Sequence, residues 1–198
     1  MSLNTNELHQ NYEPNPNPAE LTGKDSLRNV SATEDYEPHP EESLDISREH
    51  EEIVRRIMNL YCGSASEDDM QVYAEKSIYD DPYSYCDTRY KIAGQWYGLP
   101  KAFSKLRTLK LQVVEDKPDL IVFKLQQEYT PKLIHKALPV NSLVSLSLDE
   151  NGKVRYHKDM WNENDYSHEG LGKILKQLNG DHLTKITQPP KRLGNPSG

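Results

Sequence analysis

Side chains able to move protons alternate along one short stretch near the end of the chain, "NGKVRYHKDMWN". In an extended strand, residues two apart point to the same face. One face of this stretch therefore carries Arg155, His157, Asp159 and Trp161. His157 and Asp159 would lie about 7 Å apart, close enough for acid/base work on one ligand. The alternative is a solvated polar ladder, with the opposite row of side chains supplying the core.

The composition indicates that only part of the 198-residue chain folds, because a hydrophobic content of 35% is low for a globular protein. Residues 1–46 carry ten acidic residues, two basic residues and five of the thirteen prolines. This stretch is predicted to be an acidic disordered arm, since it has too few apolar residues to offset the entropy of ordering. Residues 186–198, "ITQPPKRLGNPSG", are predicted to form a flexible tail. The folded domain is then expected at residues 47–185.

Charge and cysteine content argue against several classes of protein. The chain has a net charge of −7 and its arm has −8, so the remainder is +1 and lacks the basic excess of nucleic-acid binders. The absence of a long apolar run and of a signal peptide predicts a cytoplasmic or nuclear protein without membrane contact. Cys62 and Cys86 are expected to be free thiols. No metal or cofactor motif is found, since "GLGK" lacks the spacing of a P-loop.

The first half of the domain has helical periodicity. "ISREHEEIVRRIMNLYCG" begins at an N-cap, Ser47, and places Tyr61 on its apolar stripe, which predicts a helix. "SEDDMQVYAEKSIY" predicts a second helix that begins at Ser66, turns Tyr73 inward and stops before Pro82. "PKAFSKLRTL" predicts a third, starting near Leu99.

The second half changes to a period of two, which predicts strands. Four segments alternate in this way: "LKLQVVED", "DLIVFKLQQEY", "NSLVSLSL" and "KVRYHKDMW". The pair Asn151-Gly152 favours a hairpin turn before the last strand. "SHEGLGKILKQLNG" predicts a closing amphipathic helix. Helices followed by an antiparallel meander indicate an α+β domain with helices on one face of a curved sheet.

Three stretches resemble the NTF2-like superfamily, in its SnoaL-like branch of polyketide cyclases and ketosteroid isomerases. They are "VYAEKSIYDDP", "YKIAGQWYGLPKAFSKL" and "NGKVRYHKDMWN". Their order and spacing fit over about residues 50–165. The resemblance implies a cone-shaped domain whose interior pocket accepts a small, mostly apolar molecule.

The same resemblance implies roles for individual side chains. Asp81 matches the general base of ketosteroid isomerases, although Asp80 and Asp81 before Pro82 are also typical of an ordinary turn. His157 and Asp159 match a pair in the SnoaL-type final strand, where the aspartate acts as acid and base in cyclisation.

Four further residues are expected to line the pocket. Tyr61 lies one helical turn from the place of the isomerase oxyanion tyrosine, and no second oxyanion acid is evident. Tyr73, Arg155 and Trp161 complete the expected lining.

Tyrosines are concentrated between residues 79 and 97, where they fit either the wall of an aromatic pocket or the edges of a half-buried sheet. The likeness leaves two functions open. The first is a small-molecule binder with cyclase- or isomerase-type catalysis, and the second is a non-catalytic interaction module, which the acidic arm favours. In either case a homodimer through the sheet is expected.

Overall fold

The computed structural model describes residues 35–133, 136–162 and 187–194. Its helices are α1 (Arg48–Tyr61), α2 (Glu67–Met70) and α3 (Arg89–Ala102), with short 3-10 turns at Pro40–Glu42 and Lys191–Leu193. Its strands are β1 (Tyr73–Asp80), β2 (Tyr85–Cys86), β3 (Phe103–Lys117), β4 (Leu120–Pro131), β5 (Leu138–Leu148) and β6 (Val154–Trp161). Within these ranges no helix is long and apolar enough to cross a membrane.

The six strands form one curved, open sheet in the order β2-β1-β6-β5-β4-β3. Strands β3 to β6 make the antiparallel meander that the alternating segments predict. Strand β1 pairs with β6 in parallel, so the sheet is mixed. Register shifts along the β3–β4 pair mark irregularities that bend a sheet. The predicted α+β class, with helices against one sheet face, is confirmed.

Helix α1 is built as its sequence predicts. The Ser47 hydroxyl accepts a hydrogen bond from the His50 amide, which caps the first turn. The apolar stripe, including Ile57 and Tyr61, is buried in a core shared with Phe123 of β4. At the other end of the helix, the buried Gln127 side chain donates to the Tyr61 carbonyl at 3.0 Å. Both ends of α1 are thus fixed, which sets the position of Tyr61.

The two other helix predictions need correction. Helix α2 ends at Met70, and the rest of the predicted second helix is strand β1. Pairing with β6 outweighs helical propensity here, and the Ser77 hydroxyl donates to carbonyls of Ala74 and Val154. Helix α3 begins at Arg89, ten residues before the predicted start, and "FSKLRTL" belongs to β3.

Part of the predicted arm contacts the sheet. Residues 37–44, which we call the strap, follow β3: the His39 amide donates to Gln112 Oε1 at 2.8 Å, and the Leu44 amide donates to the Val113 carbonyl at 3.0 Å. The ordered domain therefore begins before Ser47. In the predicted tail, Leu193 is 2% exposed and joins the main core. The predicted closing helix, at residues 167–180, lies outside the described residues.

Candidate functional site

The side chain of His157 is held between two tyrosines in the core. Its Nδ1 lies 2.8 Å from the Tyr73 hydroxyl, and its Nε2 lies 3.2 Å from the Tyr61 hydroxyl. Burial lowers the pKa of His157 to about 3, so the imidazole is neutral at physiological pH. Tyr79 and Trp96 pack their rings against it, at centroid distances of 4.9 and 6.1 Å.

Asp159 lies beyond Tyr61 in the same buried network. The Tyr61 hydroxyl donates to Asp159 Oδ2 at 2.6 Å. Burial raises the pKa of Asp159 to about 6, while donors from Tyr61, Trp161 and Ser142 oppose that rise. Among the described residues, Asp159 Oδ1 is buried without a well-formed hydrogen bond.

The positions of the protons in this network follow from the ionisation of Asp159, because a carboxylate can only accept hydrogen bonds. Tyr61 therefore donates to it, and since a phenol has one proton, His157 Nε2–H must donate to the Tyr61 oxygen. A neutral imidazole then accepts at Nδ1, so Tyr73 donates there. The hydrogen bonds run in one direction, from Tyr73 through His157 and Tyr61 to Asp159.

Asp81 lies in the turn after β1. Its Oδ1 accepts hydrogen bonds from the amides of Tyr83 and Ser84, at 2.7 and 2.6 Å. Asp81 therefore does stabilise the ordinary turn that the sequence also allows at this position. Burial raises the pKa of Asp81 to about 7, against these hydrogen bonds, and the charge of Asp159 raises it further. A turn residue is thus also a carboxyl group that titrates near neutral pH.

A small cavity of about 40 Å³ opens beside Asp81. A water needs roughly 10–15 Å³ by this measure, so there is room for about three. Six of the lining residues are aromatic, and none of the described ones is Lys, Arg or His. The lining residues are Tyr61, Tyr79, Asp81, Tyr83, Ser84, Gln95, Trp96, Gly98, Leu99, Tyr129 and Trp161.

The structure divides the predicted site residues into three groups. Asp81, Tyr61 and Trp161 line the cavity. Tyr73, His157 and Asp159 form the buried network behind Tyr61, so Asp159 reaches the cavity through the Tyr61 hydroxyl. Arg155 is exposed and belongs to neither set.

The prediction that Arg155 shares a face with His157 is wrong because β6 carries a bulge. On β5, the consecutive residues Ser147 and Leu148 pair with Tyr156 and Val154, which leaves Arg155 as the extra residue. Val154 therefore joins the main core on the same side as the His157 ring.

Two of the six aromatic cavity residues, Trp96 and Tyr129, are not identified from the sequence. Trp96 has no predicted role because the third helix is predicted to start after it, near Leu99, whereas α3 begins at Arg89. Tyr129 follows the inward row of β4, two residues after Gln127, so its period of two does indicate it. The structure places Tyr79 and Tyr83 in the cavity wall, as expected if the tyrosine-rich segment lines a pocket.

Within the described ranges, no group of three His, Cys, Asp or Glu side chains is placed to hold a metal ion.

No family model and no curated protein matches the sequence. Solved structures do resemble the fold. A proposed isomerase from Bacillus subtilis matches with a TM-score of 0.52 and 13% identity, covering 64% of this chain and 96% of that one. An NTF2-like protein of unknown function from Exiguobacterium gives a TM-score of 0.47 and 9% identity, over 56% and 98% of the chains.

A proposed polyketide cyclase from Xanthomonas campestris gives a TM-score of 0.47 and 8% identity, over 59% of this chain and 94% of that one. At these identities the likeness concerns the fold alone. The curved mixed sheet with helices on one face, shared with the Bacillus subtilis protein, is the fold that the sequence resemblance to the NTF2-like superfamily predicts.

Proposed function

We propose that this domain binds the reactive end of a small, mostly apolar molecule in its aromatic cavity and transfers a proton on it, with Asp81 as the acid/base group. One observation carries the proposal. Asp81, with a pKa of about 7, and Tyr61, whose hydroxyl is hydrogen-bonded to Asp159, line the same cavity. A general base works best when its pKa is near the operating pH.

The surroundings of Asp81 suit this role. Two backbone amides fix Oδ1, so the carboxyl group has a defined orientation. Asp81 also keeps part of its surface accessible, whereas Asp159 is 2% exposed. A ligand in the cavity meets Asp81 directly and meets Asp159 only through Tyr61.

Tyr61 is the candidate for stabilising negative charge on a ligand oxygen. Burial, with the charge of Asp159 next, raises the pKa of Tyr61 well above its usual value, so the phenol keeps its proton. A developing enolate would compete with Asp159 for that proton, a donor role of the kind that lowers barriers in proton transfer beside a carbonyl.

The size of the cavity limits the ligand. About 40 Å³ holds a reacting group and not a polycyclic molecule. The rest of a larger ligand would extend past the lining residues that keep some exposure, which are Asp81, Tyr83, Gln95 and Leu99.

The same small volume favours the second candidate function, a non-catalytic interaction module. There, Asp81 serves only to form its turn, and the tyrosines, His157 and Asp159 form a buried structural network. The two functions differ in whether the cavity performs chemistry.

The conversion of 3-cyclohexen-1-one to its conjugated isomer, followed by ultraviolet absorbance, tests the proposal. We expect the protein to accelerate the reaction over buffer and Asp81→Asn to remove about a hundredfold or more of that acceleration. Asp80→Asn is the matched control, because Asp80 points to the other sheet face, toward Lys158. A rate equal to that in buffer, or equal rates for both variants, would leave the interaction module as the better account.

A further inference from the structure

Among the described residues, the cavity has two carboxyl groups in or behind its wall and no positively charged side chain in its lining. Asp81 is in the cavity wall, and Asp159 lies behind the wall, where it accepts a hydrogen bond from the hydroxyl of Tyr61. The lysine of this part of the sheet, Lys158, faces Asp80 on the opposite side, with 3.7 Å between Nζ and Oδ2. An anionic ligand group would face two carboxyl groups here and no described cation.

The rest of the wall is aromatic and forms two groups of rings. Trp96 packs edge-on against Tyr61 and Tyr79, at centroid distances of 4.9 and 5.4 Å. Trp161 packs against Tyr83 and Tyr129, at 5.6 and 6.0 Å. Aromatic rings attract a cation held within about 6 Å of the ring centroid, and Trp does so best.

We propose that the group this cavity recognises is a small organic cation, the head group of an alkylated amine. The inference rests on the proposed function for the identity of the site, and because the cavity holds one small group at a time, a bound ammonium group would compete for it with the reacting group of the proton-transfer substrate. A bound cation would contact Asp81 and the aromatic rings together, which is the arrangement that ammonium recognition uses.

The available volume limits the bound group to a few non-hydrogen atoms, since it has space for about three waters. Tetramethylammonium and its neutral analogue tert-butanol have five non-hydrogen atoms each, so either would fill this space and extend past the lining residues that keep some exposure. The two probes differ in charge far more than in shape, so their comparison isolates the electrostatic part of binding.

Binding of a cation must also be linked to protons, because it favours the ionised form of Asp81. The titratable groups around Asp81 are Tyr83 of its own turn, Tyr79 of β1, Cys86 of β2, Tyr61 of α1, Tyr129 of β4, and His157 and Asp159 of β6, whereas the cavity residues of α3 carry no titratable group. Burial raises the pKa values of Tyr61, Tyr79, Tyr129 and Cys86 and lowers that of His157, so these five stay neutral between pH 6 and 8. Asp81 and Asp159 remain as the groups that titrate.

The test is a titration of the full chain followed by intrinsic tryptophan fluorescence. Trp96 and Trp161 are the chain's two tryptophans, and both line the cavity. We expect a saturable change with tetramethylammonium and at least tenfold weaker binding of tert-butanol. N-acetyltryptophanamide, a free fluorophore, corrects for collisional effects of either probe.

The pH dependence gives a second readout that needs no variant. From pH 7 to pH 6 the affinity for tetramethylammonium should fall about fivefold as Asp81 takes up its proton, and from pH 7.5 to pH 8 it should level off. Asp81→Asn should remove most of the affinity and the part of this dependence that comes from Asp81, leaving only a smaller loss toward pH 6 from Asp159, while Asp80→Asn keeps the affinity and the full dependence. Equal affinity for the two probes, no saturable change, or a flat pH profile would overturn the inference.

The two proposals fail separately. Saturable, pH-linked binding of tetramethylammonium without isomerisation of 3-cyclohexen-1-one would refute proton transfer and keep the cation site. If the protein isomerises 3-cyclohexen-1-one but tetramethylammonium neither binds nor inhibits the reaction, the cation site is refuted and the acid/base function stands.

Discussion

The hydroxyl of Tyr61, at the end of α1, lies 2.6 Å from Oδ2 of Asp159 on β6 and donates to it. This bond joins the helix layer to the sheet at residues 98 positions apart in the chain. It also connects the buried network to the cavity, because Tyr61 belongs to both. Changes at either residue are therefore expected to affect stability and the site together.

Replacement of Tyr61 by Phe should destabilise the domain by about 1–3 kcal/mol, because Asp159 Oδ2 would stay buried without this donor. Urea unfolding at pH 7 measures the effect. Tyr97→Phe, which removes the same atom from a half-buried tyrosine, is the control and should cost much less. Equal losses in the two variants would show that the Tyr61 bond contributes little.

Replacement of Asp159 should distinguish its structural role from a catalytic one. Asp159→Asn keeps an oxygen that accepts from Tyr61, so we expect a loss within about 1 kcal/mol, whereas Asp159→Ala leaves the Tyr61 hydroxyl proton without its acceptor and should cost about 3 kcal/mol. Because Asp159 does not line the cavity, Asp159→Asn should slow 3-cyclohexen-1-one turnover less than Asp81→Asn does. The reverse order would make Asp159 the group that contacts the ligand.

Stability should depend on pH through Asp81. Its folded pKa of about 7 exceeds the unfolded value of 3.8, so between these values the folded state binds more protons, and stability falls as pH rises. The Asp81→Asn variant has no carboxyl group at this position to take up the proton. Relative to the unmodified protein, the variant should gain up to about 2 kcal/mol between pH 5 and pH 8. Denaturant unfolding at both pH values checks this, with the exposed Asp119→Asn as control.

His157 contributes to pH dependence with the opposite sign. Its folded pKa of about 3 lies below the unfolded value of 6.5, so the unfolded state binds more protons between these values, and its contribution to stability is lost as pH falls. The comparison of Asp81→Asn with the unmodified chain cancels this contribution, since both contain His157.

The strap should stabilise the domain even though the sequence places it in a disordered arm. Deleting residues 1–46 removes its hydrogen bonds to β3, including that of the Ser43 hydroxyl with the Val113 amide. Deleting residues 1–34 keeps them. We expect the longer deletion to lower the melting temperature by several degrees relative to the shorter one, or roughly 1–2 kcal/mol. Equal melting temperatures would mean that the strap adds no net stability.

The homodimer through the sheet stays a prediction from the resemblance. The face opposite the cavity is already buried at Val122, Ser145 and Met160 in the single chain. More accessible residues of this region, including Arg107 and Gln126, lie on β3 and β4. Sedimentation velocity at tens of micromolar should show a dimer that Gln126→Arg weakens. A strict monomer would contradict the prediction.

The sequence predicts the elements whose signals are local. Helix α1 has its cap and stripe, and β6 has its polar row and turn. Strand β1 was assigned to a helix because its identity depends on β6, about eighty residues away, and no local pattern reports such a pairing.

The site is predictable to a similar extent. Asp81, Tyr61 and Trp161 are predicted from the sequence as site residues, and the structure brings them to one cavity. Arg155 was misplaced because a bulge is a property of two strands, and a one-residue bulge reverses the alternation on which the assignment depended. The cavity volume depends on side-chain packing across five helices and strands and the turn after β1, so no sequence pattern indicates it.

The parallel pairing of β1 with β6 has a consequence for synthesis on the ribosome. Tyr61 and Tyr73 leave the exit tunnel early, yet their partners on β6 follow 84 to 98 residues later. Closing so long a loop precedes any gain from these contacts, and contacts of this kind slow folding. A nascent chain that ends before β6 therefore has α1 and the meander up to β5, but two tyrosine hydroxyls without their acceptors, so the candidate site is completed only when the last strand of the sheet is added.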